Sequence, residues 1–80
     1  MKLELYHMEG CPYCRKVRNY IDTAGIKSLI TYHDIEKDEA SDKFLTEMNG
    51  DDQVPCLVID GHPMLESDDI ITYLKANARR

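Results

Sequence analysis

Two cysteines near the start of the chain are the residues best suited to do chemistry. Cys11 and Cys14 stand three positions apart in the segment HMEGCPYCRKVRN, with a proline and a tyrosine between them. A thiol pair at this spacing can bind zinc, form an inert structural link or exchange disulfides. A zinc site usually needs four ligands, and the remaining cysteine and histidines are scattered. We therefore interpret the pair as reactive thiols.

The expected position of the pair favours an ionised sulfur on Cys11. Pro12 suits the first position of a helix, which places Cys11 at the helix N-terminus beside unpaired backbone N–H groups. These donors and the helix dipole stabilise a thiolate and lower the pKa of the thiol. Cys14 follows one turn later and is expected to be less accessible. It is predicted to attack, and so resolve, a disulfide formed on Cys11.

The pattern of apolar residues predicts an α/β domain around this pair. Alternation in KLELYHM indicates a first strand, and helical spacing from about Pro12 to Ala24 indicates a helix ending at Gly25. SLITYHDI is predicted as a second strand, and DEASDKFLTEMNG as a second helix with Ala40 and Phe44 on its apolar face. QVPCLVID is predicted as a third strand.

The last part of the chain is predicted as a hairpin followed by a helix. Asp60 and Gly61 signal a turn into a short fourth strand at about Pro63 to Leu65. Ser67 is the expected N-cap of a last helix, DDIITYLKANARR. With a right-handed crossover between the first two strands, the order β-α-β-α-β-β-α gives a four-stranded mixed sheet with three flanking helices.

Composition excludes several other classes of protein. The 80 residues are expected to form one domain over residues 1–80, and a net charge of −5 argues against a nucleic-acid partner. No apolar run is long enough to span a membrane, and an apolar leader is lacking, so we expect a cytoplasmic protein. We also expect a monomer. Cys56, the third cysteine, is expected to be a small buried hydrophobe.

A proline within the predicted third strand is a second unusual feature. Pro55 cannot donate a hydrogen bond to a sheet, so it is expected at a strand start, at an edge, or after a cis Val54–Pro55 bond. A cis bond would leave the N–H and C=O of Val54 free to pair with an extended peptide.

Together these features resemble a glutaredoxin over essentially the whole chain. The resemblance rests on CPYC after a first strand, VP at the start of a third and an acidic helix start. It implies a thioredoxin-like fold and glutathione-dependent reduction of protein disulfides and glutathione mixed disulfides, with roles in electron transport and cell redox homeostasis. It makes Cys11 the nucleophile, Cys14 the resolving thiol and Pro55 the cis-proline. Glutathione is the implied co-substrate, and no metal is expected.

The second half of the chain departs from this family toward another. Met8 and Asp51 stand where many glutaredoxins have basic residues that hold the glycyl carboxylate of glutathione; Arg15 and Lys16 are the candidates to replace them. VPCLVIDGHPMLESDDIITYL is similar instead to the N-terminal domain of glutathione transferases, in which a Glu-Ser pair holds the γ-glutamyl end. The implied glutathione contacts are Tyr13, Val54, Pro55, Glu66, Ser67 and Asp68.

The start of the last helix also allows a simpler interpretation. Ser67 and the next N–H groups could receive a carboxylate, and Glu66 or Asp68 could bind an ammonium group. The same residues could serve only as a helix cap with acids in its first turn.

Two other functions stay open as alternatives. One is a module that holds an iron–sulfur cluster between two subunits through Cys11 and glutathione, which Pro12 generally disfavours in this family. The other is a glutathione-transferase-like N-terminal domain. We expect no complete transferase, because that would need an all-helical domain to bind the second substrate.

Overall fold

The computed structural model describes residues 1–79, and its elements follow the predicted order. The four strands are β1 (Leu3–His7), β2 (Ile30–Asp34), β3 (Cys56–Ile59) and β4 (His62–Met64). The helices are α1 (Pro12–Ala24), α2 (Glu39–Asn49) and α3 (Ser67–Asn77), with one 3₁₀ turn at Lys27–Leu29. Arg80, which the sequence placed near the end of the last helix, lies outside the described residues.

The sheet topology brings three separate segments to one edge. The strand order is β2-β1-β3-β4, with β1 parallel to β2 and antiparallel to β3. Tyr6 near the end of β1 pairs with Cys56 at the start of β3, and Leu57 pairs with Met64 at the end of β4. The end of β1, the start of β3 and the end of β4 therefore lie at the same edge of the sheet. The loops that follow β1, precede β3 and lead into α3 therefore meet there. The predicted thioredoxin-like fold is confirmed.

Two hydrophobic cores hold the helices against the sheet. Leu5 and Leu57 pack with Val17 and Ile21 of α1 and with α3 on one face. On the other face, Tyr6, Cys56 and Val58 pack with Leu45 of α2. Since β1 contributes buried side chains to both cores, the loop after β1 starts from a strand fixed on both faces.

Backbone chemistry ends the elements where the sequence predicted. Gly25 and Gly50 close α1 and α2 in the left-handed conformation, with φ of 70° and 86°. Asp60 and Gly61 also have positive φ, 48° and 88°, as a two-residue hairpin turn between β3 and β4 requires.

Several details differ from the prediction, among them the end of the last helix, which lies at Asn77, and the fourth strand, which spans His62–Met64 rather than about Pro63 to Leu65. β3 begins at Cys56 rather than at residue 53, since Pro55 has no N–H to donate to the sheet. Ser67 is the first residue of α3 instead of its cap, because Glu66 takes the cap position with a φ of 74°. On α2, Ala40 is exposed and Phe44 is half exposed, with its ring stacked on the buried ring of Tyr6.

Within residues 1–79, the helices are all too short and too polar to cross a membrane.

Candidate functional site

Cys11 occupies the N-cap position of α1, as predicted. Its backbone is extended (φ −86°, ψ 118°), its carbonyl accepts the first helical bond from the Arg15 N–H at 2.9 Å, and Pro12 follows at the first helical position. The Cys11 N–H donates to the Met8 carbonyl at 3.3 Å, which closes a tight turn between β1 and α1. The sulfur is thus held at the positive end of the helix and is partly exposed.

The surroundings of Cys11 favour the thiolate. Burial alone would raise the pKa of its thiol, but other groups outweigh burial and the pKa lies below its ordinary value. The opposing groups are the backbone N–H and thiol of Cys14, the backbone N–H of Tyr13 and the charge of Arg18. The side chain forms no capping hydrogen bond of regular geometry.

Cys14 has the opposite environment one helical turn later. Its side chain is fully buried, and the pKa of its thiol is raised to about 12. Burial is the largest cause, and the hydrogen bond to Cys11 and the negative charge of that sulfur contribute in the same direction. Two thiols of one motif therefore differ sharply: Cys11 favours the ionised form and Cys14 the neutral form. The sequence predicted this difference in accessibility.

The third cysteine is the first residue of β3. Cys56 is fully buried in the core with α2, and burial raises the pKa of its thiol. This agrees with the expectation of a small buried hydrophobe. All three cysteines are free thiols. Residues 1–79 contain no group of three or more histidine, cysteine or acidic side chains arranged to hold a metal ion.

A groove of about 360 Å³ lies where the three loops meet. It brings together all six residues that the resemblance assigned to glutathione, which come from the start of α1, the loop before β3 and the start of α3. The aromatic ring of Tyr13 is mostly exposed there. The groove is lined by Tyr13, Gln53, Val54, Pro55, Glu66, Ser67 and Asp68.

The loop before β3 presents free backbone groups to this groove. The Val54–Pro55 peptide bond is cis, one of the arrangements predicted for this proline. Among residues 1–79, the N–H and C=O of Val54 take part in no backbone hydrogen bond. The adjacent Gln53 N–H is occupied, because it donates to the Asp51 carboxylate at 3.1 Å. Val54 is therefore the residue of this loop that could pair with an extended ligand.

The start of α3 forms the acidic side of the groove. Ser67 is buried in the first turn, and Glu66 and Asp68 are exposed on either side of it. Asp68 accepts a hydrogen bond from the Lys16 ammonium of α1, so an ion pair connects the starts of the two helices. Lys16, one of the two cations considered for a glycyl carboxylate, is thus already paired.

A comparison of the whole chain with known protein families shows which family it belongs to. The family described as glutathione S-transferase, N-terminal domain, matches residues 5–80. The chain belongs to this family.

Solved structures show the same fold in this transferase domain and in a stand-alone protein. A diazinon-metabolising glutathione S-transferase of the silkworm Bombyx mori has a TM-score of 0.76 at 21% identity, over 99% of this chain and 39% of that one. An unclassified transferase from Bombyx mori has a TM-score of 0.80 at 24% identity, over 98% and 36%. The thioredoxin-like protein BC3987 has a TM-score of 0.75 at 25% identity, over 94% and 97%.

The lengths of these proteins differ. This transferase-family domain spans well under half of the two silkworm transferases, but nearly the whole of the thioredoxin-like protein. No curated protein matches it significantly. The transferase part of the predicted resemblance is supported by the family match, whereas the glutaredoxin part stays a prediction.

Two residues beside the thiol pair and the groove were missed by the sequence interpretation. Gln53 lines the groove next to Val54, and its place directly before VP could have suggested it. Arg18 bonds to the loop before Cys11. Its spacing, four residues after Cys14 and seven after Cys11, puts it on the same helix face, which was the available signal.

Proposed function

We propose that this domain is a glutathione-dependent thiol–disulfide oxidoreductase that works as a cytoplasmic monomer. One observation carries the proposal: of two free thiols one helical turn apart, Cys11 is partly exposed at the start of α1 and Cys14 is fully buried. A thiolate at a helix start is the form that attacks disulfides. A buried neutral thiol beside it is suited to a second, slower attack.

The first half of the cycle oxidises the thiol pair. The Cys11 thiolate attacks one sulfur of a substrate disulfide, forms a mixed disulfide with it and expels the other sulfur as a thiolate. Cys14 loses its proton and attacks the Cys11 sulfur, which releases the second substrate thiolate and leaves a Cys11–Cys14 disulfide. The substrate has then gained two electrons, and it takes up two protons.

The second half of the cycle uses two molecules of glutathione. The first attacks the Cys11 sulfur, forms a mixed disulfide and releases Cys14 as a thiol. The second attacks the glutathione sulfur of that mixed disulfide, releases the Cys11 thiolate and leaves as glutathione disulfide. Two electrons thus pass from two glutathione molecules to one substrate disulfide.

The high pKa of Cys14 affects which thiol resolves the mixed disulfide. Loss of the negative charge on Cys11 removes one cause of the raised pKa, but burial, the largest cause, remains. We therefore expect an external glutathione to compete with Cys14 for the mixed disulfide. With glutathione mixed disulfides as substrate, the cycle can run through Cys11 and external glutathione alone.

The groove supports glutathione as the reductant. The free N–H and C=O of Val54 can pair with the peptide backbone of glutathione. The first N–H groups of α3 can receive the γ-glutamyl carboxylate, and the acids Glu66 and Asp68 can bind its ammonium group. Tyr13 and Pro55 supply apolar surface for the rest of the tripeptide.

Family membership favours a second candidate function, the conjugation of glutathione to an electrophile. In that reaction the sulfur of bound glutathione attacks an electrophilic carbon, and the enzyme itself is not oxidised. The same groove would bind glutathione. The two functions differ in whether Cys11 is a reactant.

The deciding experiment measures both reactions in three forms of the protein. Reduction of a glutathione mixed disulfide and conjugation of an aryl halide are assayed for wild type, Cys11→Ser and Cys14→Ser. We expect disulfide reduction to fall more than about 100-fold in Cys11→Ser, as when a covalent nucleophile is removed. Cys14→Ser should keep a measurable part of this activity.

Other outcomes would assign the function differently. Disulfide reduction that survives in Cys11→Ser would disprove the nucleophile assignment. Conjugation that is strong in wild type and unchanged in both variants would favour the transferase function. Cys56→Ser is the matched control, because that buried thiol lies outside the groove.

A further inference from the structure

Arg18 is the one side chain that joins the end of β1 to the turn holding Cys11 in this structure of residues 1–79. It lies on α1 and is partly buried. Its Nη1 group donates to the Met8 carbonyl at 3.0 Å, and its Nη2 group donates to the Glu9 carbonyl at 3.1 Å. Nη1 also lies 3.0 Å from Nδ1 of His7. The planar guanidinium thus reaches three consecutive residues with donors in a fixed fork.

These bonds act on the backbone that presents the nucleophile. The Met8 carbonyl accepts both from Arg18 and from the N–H of Cys11. Arg18 thereby fixes the turn both to the end of β1 and to α1. A shift of this carbonyl would move the Cys11 N–H with it and change where the sulfur lies relative to the helix axis.

The charge of Arg18 is left uncompensated by these contacts. Its partners are two carbonyls and an imidazole, and within residues 1–79 it forms no salt bridge with a carboxylate. His7 is buried, and burial, Arg18 and Lys37 lower the pKa of its imidazole, whereas the carboxylates of Asp34 and Glu9 partly oppose this shift. A neutral His7 can accept the Arg18 bond at Nδ1 without adding a charge. The charge of Arg18 also reaches the two sulfurs, where it lowers the pKa of the Cys11 and Cys14 thiols.

We propose that Arg18 is the positioning residue of this site, holding the Met8–Cys11 turn in place and favouring the Cys11 thiolate by its charge. In catalysis this inference rests on the proposed function, since it concerns the same nucleophile. Arg18 itself contacts neither the groove nor a reacting atom of the substrate. A purely structural role would stabilise the fold without changing how easily the sulfur ionises, and that difference can be measured.

The test follows alkylation of Cys11 by iodoacetamide against pH, read by mass spectrometry of the Cys11 peptide. Wild type, Arg18→Gln and Arg18→Lys are compared, with Arg79→Gln as the control that removes an equal charge at an exposed site beyond α3. Below the midpoint, loss of half a pKa unit of thiolate stabilisation slows alkylation about threefold. We expect at least this slowing, and a higher midpoint, in Arg18→Gln.

The conservative variant separates the two parts of the role. Lysine keeps the charge but lacks the fork that reaches three acceptors, so Arg18→Lys should fall between wild type and Arg18→Gln. Arg79→Gln should match wild type. Equal midpoints in wild type and Arg18→Gln would overturn the proposal, even if Arg18→Gln were less stable. If circular dichroism shows that Arg18→Gln does not fold, Arg18→Met, which keeps an unbranched apolar stem without the charge, takes its place, and equal midpoints in wild type and Arg18→Met overturn the proposal.

This outcome is independent of the proposed function. Alkylation needs neither glutathione nor turnover, so a failed disulfide-reduction assay would leave the Arg18 result standing. Conversely, an unchanged midpoint in Arg18→Gln would leave Cys11 as the proposed nucleophile and remove only the role of Arg18.

Discussion

The starts of α1 and α3 lie at the same edge of the sheet but carry opposite charges. The first turn of α1 contains no acidic residue, and Arg15 and Lys16 follow it directly. The first turn of α3 contains Asp68 and Asp69. Both helices present unpaired N–H groups and the positive end of a dipole.

The difference shows how each positive helix end is used. At α3 the acidic side chains of the first turn interact favourably with the positive end of the helix dipole, which stabilises the helix. At α1 the positive end faces a sulfur instead, so its stabilisation goes to a thiolate. The start of α2 has a standard cap, because Asp38, its N-cap, accepts a hydrogen bond from the Ala40 N–H at 3.2 Å.

This choice has a cost in stability. A Ser, Thr, Asp or Asn cap stabilises a helix by about 1 kcal/mol relative to a residue that forms no cap bond. Cys11 forms no regular cap bond. The start of α1 therefore lacks both a cap bond and acidic first-turn residues, whereas α2 has the Asp38 cap and α3, whose cap Glu66 also forms no side-chain bond, has Asp68 and Asp69.

An acidic residue placed in the first turn of α1 should remove much of the difference between the two helix starts. Tyr13→Asp would make this turn resemble that of α3, and its carboxylate would compete with the Cys11 thiolate for the same N–H groups. We expect the pKa of the Cys11 thiol to rise by about one unit, which slows alkylation below the midpoint about tenfold. Alkylation against pH measures this directly.

Tyr13→Asn is the matched control for that variant, since it removes the same ring without adding a charge. Its midpoint should stay near that of wild type. If both variants slow alkylation equally, the ring of Tyr13 and not the charge of the helix start would control Cys11.

Removing an acidic charge from the start of α3 should weaken the binding of glutathione. Glu66→Gln removes the charge proposed to bind the γ-glutamyl ammonium group but keeps the shape of the side chain. Loss of one exposed charged hydrogen bond of about 1 kcal/mol should raise KM for glutathione about fivefold. The pH midpoint of Cys11 alkylation should not change.

Asp69→Asn is the control for Glu66→Gln, because Asp69 is an exposed acid of the same helix turn that does not line the groove. It should leave KM near the wild-type value. Equal effects of the two variants would mean that the charge of the helix start matters in general and that Glu66 has no specific contact.

The sequence was sufficient for the elements that local patterns encode. Alternation, helical spacing and the glycines at 25 and 50 predicted the strands, the helices and their ends. CPYC predicted a partly exposed Cys11 and a buried Cys14 from their positions alone. Their roles in catalysis stay predictions until the variants are assayed.

Features made by contacts between distant segments were not accessible to sequence patterns. The cap of α3 falls at Glu66, whose φ of 74° is unusual for a residue with a side chain and has no sequence signal. The Lys16–Asp68 ion pair joins residues 52 positions apart. The contacts of Arg18 depend on where the turn after β1 places its carbonyls, which a spacing rule does not give.

The smallest expected effect concerns the Lys16–Asp68 ion pair that connects the two helix starts. Both side chains are largely exposed, 53% and 80%, so water screens their attraction. In a double-mutant cycle of Lys16→Met and Asp68→Asn, we expect a coupling of about 0.5 kcal/mol in the free energy of unfolding. Denaturant unfolding of the four proteins measures it.

The effect of salt shows whether this coupling is an electrostatic attraction between two exposed charges, as the geometry indicates. In 1 M NaCl the Debye length falls to about 3 Å, so the coupling should become too small to measure. A coupling that is large at low salt and unchanged at high salt would mean that the two helix starts depend on each other through packing. The two helix starts would then behave as one unit. The effects of Tyr13→Asp and Glu66→Gln could then not be assigned to one helix start each.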